Sequence, residues 1–253
     1  MILDKFKLDG KVGIVTGAAQ GLGQAIALGL AEAGADVALI DVLDMTHTQQ
    51  QVKAIGRRCI TITADLSKKD CIDGIVSKTV SQLCAIDILF NNAGIIRRAP
   101  LVDFTEKDWD DVMNINIRTL FFLSQAVAKV MIKQGRGGKI VNTASMLSFQ
   151  GGVFVPSYTA SKSAVMGLTR LMANELAVHK INVNAIAPGY MATDNTKALR
   201  EDQARNKAIL DRIPAGRWGS PEDLKGVAVF LASAASDYMQ GYTVAVDGGW
   251  LAR

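Results

Sequence analysis

The sequence has few of the side chains that bind metals or form disulfides. It contains 253 residues, of which three are cysteines and two are histidines. Cys59, Cys71 and Cys84 form no Cys-x-x-Cys pair, and His47 and His179 are far apart, so we expect no metal site. An odd number of unclustered cysteines is typical of reduced thiols, and we therefore expect a cytoplasmic protein.

Charge of one sign and long apolar runs are also lacking. The formal net charge is only +4 and the basic residues are scattered, which excludes a basic stripe for nucleic acid. Asp4 interrupts the first apolar residues, so no signal peptide is predicted. Residues 140–161 carry no charge, but Asn142, Gln150 and Pro156 suit a buried site wall better than a membrane span. We expect neither nucleic acid nor a membrane among the partners.

The sequence does contain a regular alternation of two patterns. Short runs rich in apolar and β-branched residues, typical of buried strands, alternate with helical patterns. The predicted strands are 12–16, 37–41, 59–64, 86–91, 139–143, 181–186 and 243–246. A long helix is predicted over 107–133, and another over 221–233 begins with a proline. This alternation predicts an α/β fold, with one doubly wound domain over 1–253, a mostly parallel sheet and helices on both faces.

The first predicted strand runs directly into a glycine-rich turn. The turn reads Gly17-Ala-Ala-Gln-Gly21-Leu-Gly23, and the helix predicted after it ends at Gly34. Glycines allow a backbone to approach a pyrophosphate closely, and a helix N-terminus offers free N–H groups and the positive end of its dipole. The order of strand, turn and helix therefore predicts a dinucleotide-binding loop. Its spacing is Gly-x-x-x-Gly-x-Gly, not the commoner Gly-x-Gly-x-x-Gly.

Asp41 ends the second predicted strand, eighteen residues after Gly23. This is close to the spacing expected of an acid that accepts hydrogen bonds from the adenosine ribose. A carboxylate at this point also repels a 2′-phosphate, and no lysine or arginine follows before Lys53. The sequence therefore favours NAD over NADP.

A serine precedes a Tyr-x-x-x-Lys pair by thirteen positions: Ser145, Tyr158 and Lys162. Residues four apart on a helix share a face, so the ammonium of Lys162 is expected beside the phenol of Tyr158. Bringing a phenol pKa of about 10 to neutrality needs roughly 4 kcal/mol, and a nearby cation supplies part of it. The three residues together predict proton transfer to and from an alcohol oxygen.

Several of these residues follow predicted strands. They are the turn 17–23, Asp41, Asp65, residues 91–94 and Ser145. Because ligands of doubly wound folds bind at the carboxyl ends of the strands, we expect the site at that edge of the sheet.

These motifs resemble the short-chain dehydrogenase/reductase family over essentially the whole chain. The resemblance rests on residues 16–23, Asp65-Leu66, residues 91–94, Asn116, Ser145, Tyr158, Lys162, Pro188-Gly189 and Thr193. The Gly-x-x-x-Gly-x-Gly spacing is the variant that this family uses. The resemblance implies a seven-stranded Rossmann sheet, a nicotinamide cofactor and a homotetramer.

The resemblance also implies roles for individual residues. Tyr158 would be the acid/base, Lys162 would bind the nicotinamide ribose and lower the tyrosine pKa, and Ser145 would hydrogen-bond the substrate oxygen. Asn116 would hold the water of a proton relay. The implied cofactor-binding set also includes the phosphate loop, the adenine side and the carboxamide side: Gly17, Gln20, Gly21, Leu22, Gly23, Asp41, Asp65, Leu66, Asn92, Ala93, Gly94, Pro188, Gly189, Met191 and Thr193.

Within the family, five segments resemble the dehydrogenases of six-carbon sugar acids: 91–98, 145–152, 186–193, 212–218 and 246–253. Such a substrate needs a partner for its carboxylate, and arginine suits it by its bidentate fork. We expect Arg97 or Arg98, with Gln150 or Tyr190, to bind the substrate. The polar segment 190–218 is expected to form a lid over it.

Two other classes of function remain open at this stage. One is a dehydrogenase of the same family for another compound, such as gluconate or a 3-oxoacyl group on acyl carrier protein. A reductase of 3-oxoacyl groups usually needs NADP and a basic docking patch, and Asp41 argues against it. The other class is a cofactor-sensing binding protein without turnover, against which the complete Ser-Tyr-Lys set argues.

Overall fold

The computed structural model describes residues 1–68 and 70–253. Within them, seven strands form one parallel sheet in the order β3-β2-β1-β4-β5-β6-β7. The strands are β1 Val12–Thr16, β2 Asp36–Asp41, β3 Cys59–Thr63, β4 Ile88–Asn91, β5 Gly138–Thr143, β6 Ile181–Pro188 and β7 Thr243–Val246. Strand order reverses at β1, which pairs with both β2 and β4. Ligands of doubly wound sheets bind outside such a reversal, at the carboxyl ends of the strands.

Helices connect the strands and cover both faces of the sheet. They are α1 Gly21–Glu32, α2 Thr46–Ala54, α3 Cys71–Leu83, α4 Glu106–Met113, α5 Leu120–Gln134, α6 Pro156–Leu176, α7 Lys197–Glu201, α8 Gln203–Arg212 and α9 Lys225–Ala232. Successive strand residues point to opposite faces. Accordingly Ile14 and Ile40 belong to the core that α3, α5 and α6 complete, whereas Val15 and Leu39 belong to the core of α1, α2 and α9. The predicted fold class is confirmed.

The helix predicted over 107–133 is interrupted by a π-helical turn. The turn Asn114–Thr119 joins α4 to α5, so the continuous helical stretch is Glu106–Gln134. By length and composition this stretch could cross a membrane, and 44% of its most apolar window is buried. Its apolar residues Leu123, Val127 and Met131 lie in the core against the sheet. Single π turns are frequent at functional sites, and this one contains Asn116.

The segment 190–218 leaves the end of β6 and carries α7 and α8. A bridge between Met191 and Gly219 closes the segment at its base. A third apolar cluster lies beside it and contains Met146, Ile209, Ile213 and Trp250. This cluster therefore joins α8 to the turn after Ser145 and to the residues after β7.

Candidate active site

The glycine turn between β1 and α1 has the shape that a close approach to phosphate requires. Gly17 and Gly21 have φ values of +68° and +59°, in the left-handed region that favours glycine. A Cβ on Gly23 would overlap the carbonyl oxygen of Gly17, so no larger residue fits there. Gln20, the N-cap of α1, makes no side-chain capping hydrogen bond. The first N–H groups of α1 are therefore not capped by a side chain of that residue.

Asp41 lies beside this turn at the end of β2. Its Oδ2 accepts a hydrogen bond from the Ala19 amide at 3.0 Å. Its Oδ1 accepts from the amides of Val42 and Leu43 at 2.7 and 3.1 Å. The carboxylate thus places a negative charge at the turn 17–23, where its acceptor bonds hold it in one orientation.

The loop after β4 is tied to the end of β1 by one hydroxyl. Thr16 Oγ1 accepts hydrogen bonds from the amides of Asn92 and Ala93, both at 3.0 Å, and donates to the Phe90 carbonyl at 3.2 Å. Asn92 Nδ2 donates to the Thr16 carbonyl at 3.0 Å. The structure therefore brings Gly17, Asn92 and Ala93 together, and a Cβ on Gly17 would lie 3.1 Å from the Ala93 Cα. The sequence motif includes Thr16, but its organising role was not predicted.

Asp65 and Leu66 follow β3, at the same edge of the sheet as the carboxyl ends of the other strands. The Leu66 carbonyl accepts a hydrogen bond from Thr119 Oγ1 at 2.6 Å, and the Ser67 carbonyl accepts from Asn114 Nδ2 at 2.9 Å. Both donors belong to the π turn. The loop that follows β3 is thus fastened to the helix that follows β4.

Asn116 is buried in the π turn and uses its amide to hold the neighbouring loop. Its Oδ1 accepts from the Ile95 amide at 2.9 Å, and its Nδ2 donates to the Ile95 carbonyl and to Ser161 Oγ, both at 3.0 Å. Both amide hydrogens are therefore used, and one lone pair of Oδ1 is left. Gly94 passes close by, since a Cβ there would lie 3.1 Å from Asn116 Oδ1 and 3.7 Å from Lys162 Nζ.

The structure brings Ser145, Tyr158 and Lys162 together at the carboxyl end of β5. Tyr158 and Lys162 lie on α6, with the lysine Nζ 5.4 Å from the centroid of the tyrosine ring. Lys162 Nζ donates to the Thr143 carbonyl at 2.6 Å. Ser145 is 6% exposed and caps the turn after β5, where its Oγ accepts from the Leu147 amide at 3.2 Å.

The titration of Tyr158 differs from the sequence-based expectation. Within the chain, burial raises the pKa of Tyr158 above its ordinary value, while a hydrogen bond from Ser145 and the charge of Arg98 partly oppose this. Burial also lowers the pKa of Lys162 to about 8. Withdrawal from water thus opposes the charged form of both side chains. The lysine alone therefore does not bring the pKa of the phenol close to neutral pH.

The end of β6 forms the next part of the crevice. Pro188 is its last residue, and the Gly189 amide donates to the Val246 carbonyl at 2.9 Å. A Cβ on Gly189 would lie 2.5 Å from the Asp247 Cα, so the two backbones approach closely here. The side chain of Thr193 faces the glycine turn, since its Cγ2 lies 3.7 Å from the Cβ position of Gly21. Met191, between Gly189 and Thr193 in the chain, is buried.

The two arginines predicted for the substrate have different surroundings. Arg97 lies 3.4 Å from Asp108 and 3.6 Å from Asp111, two carboxylates of α4. Arg98 donates to the Asn195 carbonyl at 3.4 Å, and its positive charge acts on Tyr158. Of the two side chains, Arg98 is therefore the one whose charge acts to lower the pKa of the predicted acid/base.

Tyr190 belongs to an aromatic wall with Trp218 and Trp250, and Gln150 is joined to this wall through Arg212. The wall as a whole was not predicted. The Tyr190 ring packs edge to face on Trp250 at 4.7 Å and on Trp218 at 5.4 Å. Gln150 Oε1 accepts from Arg212 at 3.2 Å. Trp218 and Trp250 lie in segments that resemble the sugar-acid dehydrogenases, and their large apolar rings were the available signal.

Comparison with known proteins agrees with this geometry. Residues 17–251 match a family model described as enoyl-(acyl carrier protein) reductase. The chain is 64% identical over all 253 residues of both chains to the 2-dehydro-3-deoxy-D-gluconate 5-dehydrogenase of Escherichia coli (strain K12).

Two solved structures are similar over nearly the whole chain. One, from Agrobacterium tumefaciens and with bound NADP, has a TM-score of 0.91, 54% identity and coverage of 98% of this chain and 99% of its own. The other is a gluconate 5-dehydrogenase from Burkholderia cenocepacia J2315 in complex with NADP and tartrate. It has a TM-score of 0.95, 39% identity and complete coverage of both chains. The resemblance found in the sequence is confirmed, and the chain belongs to the short-chain dehydrogenase/reductase family of oxidoreductases.

Proposed function

We propose that the chain is an NAD-dependent dehydrogenase of a six-carbon deoxy sugar acid. It would transfer a hydride between the nicotinamide and a secondary alcohol or ketone of the substrate. This transfer would interconvert 2-dehydro-3-deoxy-D-gluconate, the alcohol, and 3-deoxy-D-glycero-2,5-hexodiulosonate, the ketone. This reaction belongs to the catabolism of pectin and hexuronates. The observation that carries the proposal is the Ser145–Tyr158–Lys162 group at the same edge of the sheet as the glycine turn 17–23, in a chain 64% identical over its full length to a 2-dehydro-3-deoxy-D-gluconate 5-dehydrogenase.

The chain's own residues account for the proton steps. In alcohol oxidation Tyr158 takes the hydroxyl proton, and in ketone reduction it returns one. Ser145 donates to the same substrate oxygen and orients it against the phenol. Lys162 would bind the nicotinamide ribose and favour the phenolate, and Asn116 would hold the water through which the proton leaves. The bound nicotinamide supplies or accepts the hydride, and its positive charge when oxidised favours the phenolate further.

The turn 17–23 fits the pyrophosphate of a dinucleotide. Its positive-φ glycines and the position of Gly23, where no Cβ fits, leave the backbone exposed to a close ligand at the N-terminus of α1. Asp65 and Leu66 would flank the adenine, with Asn92, Ala93 and Gly94 along the adenosine. Pro188, Gly189, Met191 and Thr193 would hold the carboxamide.

Asp41 supports NAD as the cofactor, although similar solved structures carry NADP. We expect Asp41→Asn, which keeps the size but removes the charge, to lower the Kd for NADP by about tenfold relative to that for NAD. The reason is that a carboxylate beside the ribose repels a 2′-phosphate. Fluorescence titration of both reduced cofactors measures the ratio. Asp44→Asn is the matched control, because Asp44 is an exposed carboxylate three residues away. An unchanged ratio in Asp41→Asn would remove the basis for preferring NAD.

Arg98 is proposed to bind the substrate carboxylate, with Gln150 and Tyr190 on the facing wall. We expect Arg98→Gln to raise the KM for the sugar acid by about tenfold or more, because a charge-assisted hydrogen bond is lost. Arg97→Gln is the control, since Arg97 already lies against two carboxylates. The measurement compares KM for the acid with KM for an uncharged polyol. Equal effects on acid and polyol would contradict the assignment.

The surroundings of the site support three further proposals. The segment 190–218 acts as a lid over the substrate, since it begins at Tyr190 and returns along the aromatic wall. Partly exposed apolar side chains on α4, α5 and α6 suit a homotetramer, among them Trp109, Phe122, Ile132 and Leu171. The free thiols Cys59, Cys71 and Cys84 suit a cytoplasmic enzyme.

The proposed reaction is tested by the absorbance of the reduced nicotinamide. NAD and NADP are each offered with 2-dehydro-3-deoxy-D-gluconate, gluconate and glucose. Turnover of the deoxy keto acid with NAD is expected. Turnover of gluconate alone would favour a gluconate 5-dehydrogenase, and turnover of a 3-oxoacyl thioester with NADP would favour the acyl-carrier-protein reductase. Cofactor binding without turnover of any substrate would favour a sensor.

A further inference from the structure

Arg253 holds the C-terminal end of α8 with its side chain. Its Nη2 donates to the Asp211 carbonyl at 2.7 Å, and its Nε donates to the Arg212 carbonyl at 3.1 Å. Asp211 and Arg212 are the last two residues of α8, and carbonyls of a last helical turn have no partner within the helix. A guanidinium at this end also interacts favourably with the helix dipole. Arg253 therefore fixes the position at which the lid segment leaves its second helix.

Arg212 extends this contact towards the substrate side. Its guanidinium carbon lies 3.9 Å from the centroid of the Trp250 ring, and its Nη2 donates to Gln150 Oε1. Stacking on an aromatic face leaves the in-plane N–H groups of a guanidinium available for hydrogen bonds. Within residues 1–68 and 70–253, no carboxylate lies within ion-pair distance of Arg212. Its position is thus set by Trp250, Gln150 and the bonds that Arg253 makes to its backbone.

Trp250 passes the contact on to the wall of the site. Its ring is 5% exposed and packs against Tyr190, which directly follows Gly189 at the end of β6. Tyr190 in turn packs on Trp218, whose Nε1 donates to Asn206 Oδ1 on α8 at 2.7 Å. The aromatic wall is therefore closed at both ends by α8, and Arg253 holds the end at Arg212.

We propose that Arg253 is a positioning residue for substrate recognition: by fixing Arg212 against Trp250, it sets the wall formed by Tyr190, Trp218 and Gln150. This inference rests on the proposed function, because it assigns the wall to the sugar acid. It places no contact of Arg253 on the cofactor, which the turn 17–23 and Asp41 would hold at the other end of the crevice. The affinity for the sugar acid should therefore depend on Arg253, and the affinity for the cofactor should not.

The test compares Arg253→Gln with Arg205→Gln. Arg205 is an exposed arginine of the same helix, and its described hydrogen bond is made by its backbone. We expect Arg253→Gln to raise KM for 2-dehydro-3-deoxy-D-gluconate by about tenfold, because two charge-assisted hydrogen bonds are lost, with kcat within about twofold of wild type. The Kd for NADH, measured by fluorescence on the protein without substrate, should be unchanged. Arg253→Lys should restore part of the affinity, because lysine can still donate to one carbonyl.

Other outcomes separate this proposal from the proposed function. Equal KM values in Arg253→Gln and Arg205→Gln would overturn it, as would a parallel loss of NADH affinity, which would indicate general disorder. If the wild type turns over a different sugar acid, the same KM comparison is made with that compound. If it turns over none, binding of 2-dehydro-3-deoxy-D-gluconate is read from the fluorescence of Trp218 and Trp250. An unchanged Kd in Arg253→Gln would then overturn the proposal.

Discussion

Tyr158→Phe is expected to lower kcat for the sugar acid by about a thousandfold, within the range that general acid–base catalysis contributes. The substitution removes one oxygen atom and keeps the ring that packs over Lys162 on α6. The hydroxyl proton of the substrate then has no acceptor beside Ser145. Because the alcohol keeps this proton, hydride transfer from its carbon is slowed. Cofactor absorbance under saturating NAD and substrate measures the loss.

The control for this prediction is another tyrosine of the same crevice. Tyr190→Phe also removes one phenolic oxygen, but it leaves the edge-to-face contacts with Trp218 and Trp250 in place. It should retain most of kcat. The Kd for NADH should be close to wild type in both variants, which shows that each is folded. A Tyr158→Phe variant that keeps more than about a tenth of wild-type kcat would exclude the phenol as the acid/base.

Lys162→Met is expected to lower kcat by about a hundredfold or more, because the phenolate loses the nearest described ammonium. Methionine is unbranched like lysine and fills a similar volume, so the packing of α6 should be retained. The proposed bond to the nicotinamide ribose is also lost, so the Kd for NADH should rise. A variant with normal kcat and normal Kd would remove Lys162 from both roles.

The same variant should show a stability difference that depends on pH. Lys162 has a pKa of about 8 in the folded protein, against an ordinary value of 10.5. The unfolded chain therefore binds more protons than the folded one between these values, and wild-type stability contributed by this group rises with pH across that window. Below pH 8 the lysine is charged in both states, and the full cost of burying that charge remains.

Urea unfolding of the cofactor-free proteins at pH 7.5 and at pH 10 measures this effect. Relative to Lys162→Met, the wild type should gain at most about 3 kcal/mol between the two pH values. Lys133→Met, at the end of α5, is the control, because it makes the same substitution at a lysine that is exposed to solvent. A wild-type protein that loses stability relative to Lys162→Met over this range would show that the lysine is favoured in its charged form.

The order of elements could be predicted because the strands are short and apolar on both faces. Strand β1 was predicted at its observed limits, and β7 likewise, since polar residues or glycine adjoin each. Strand β4 begins at Ile88 and not at residue 86. The reason is visible at Asp87, a buried carboxylate that accepts hydrogen bonds from the Val12 amide and from Arg136, and so ends the regular pairing.

The site was predictable where it depends on spacing along one element. The four-residue interval from Tyr158 to Lys162 and the strand–turn–helix order of 11–34 contain the information locally. The sequence could not distinguish the surroundings of Arg97 from those of Arg98, because they depend on the contacts that Arg97 makes with Asp108 and Asp111 of α4. The pKa of Tyr158 was predicted in the wrong direction for the chain by itself, since burial depends on packing that spacing does not reveal.

The π turn at Asn114–Thr119 has a consequence for how this chain tolerates deletions. A π turn contains one residue more than an α-helix needs over the same length. In a regular α-helix each residue advances the chain by about 100° around the helix axis. Removing one residue from this turn would restore a regular helix, but it would change the directions in which Asn114, Asn116 and Thr119 point from the helix axis relative to one another. The bonds from Thr119 and Asn114 to the loop after β3, and from Asn116 to Ile95, could then not form together. The length of the chain between β4 and β5 is therefore fixed by the site, even though a shorter helix would itself be more regular.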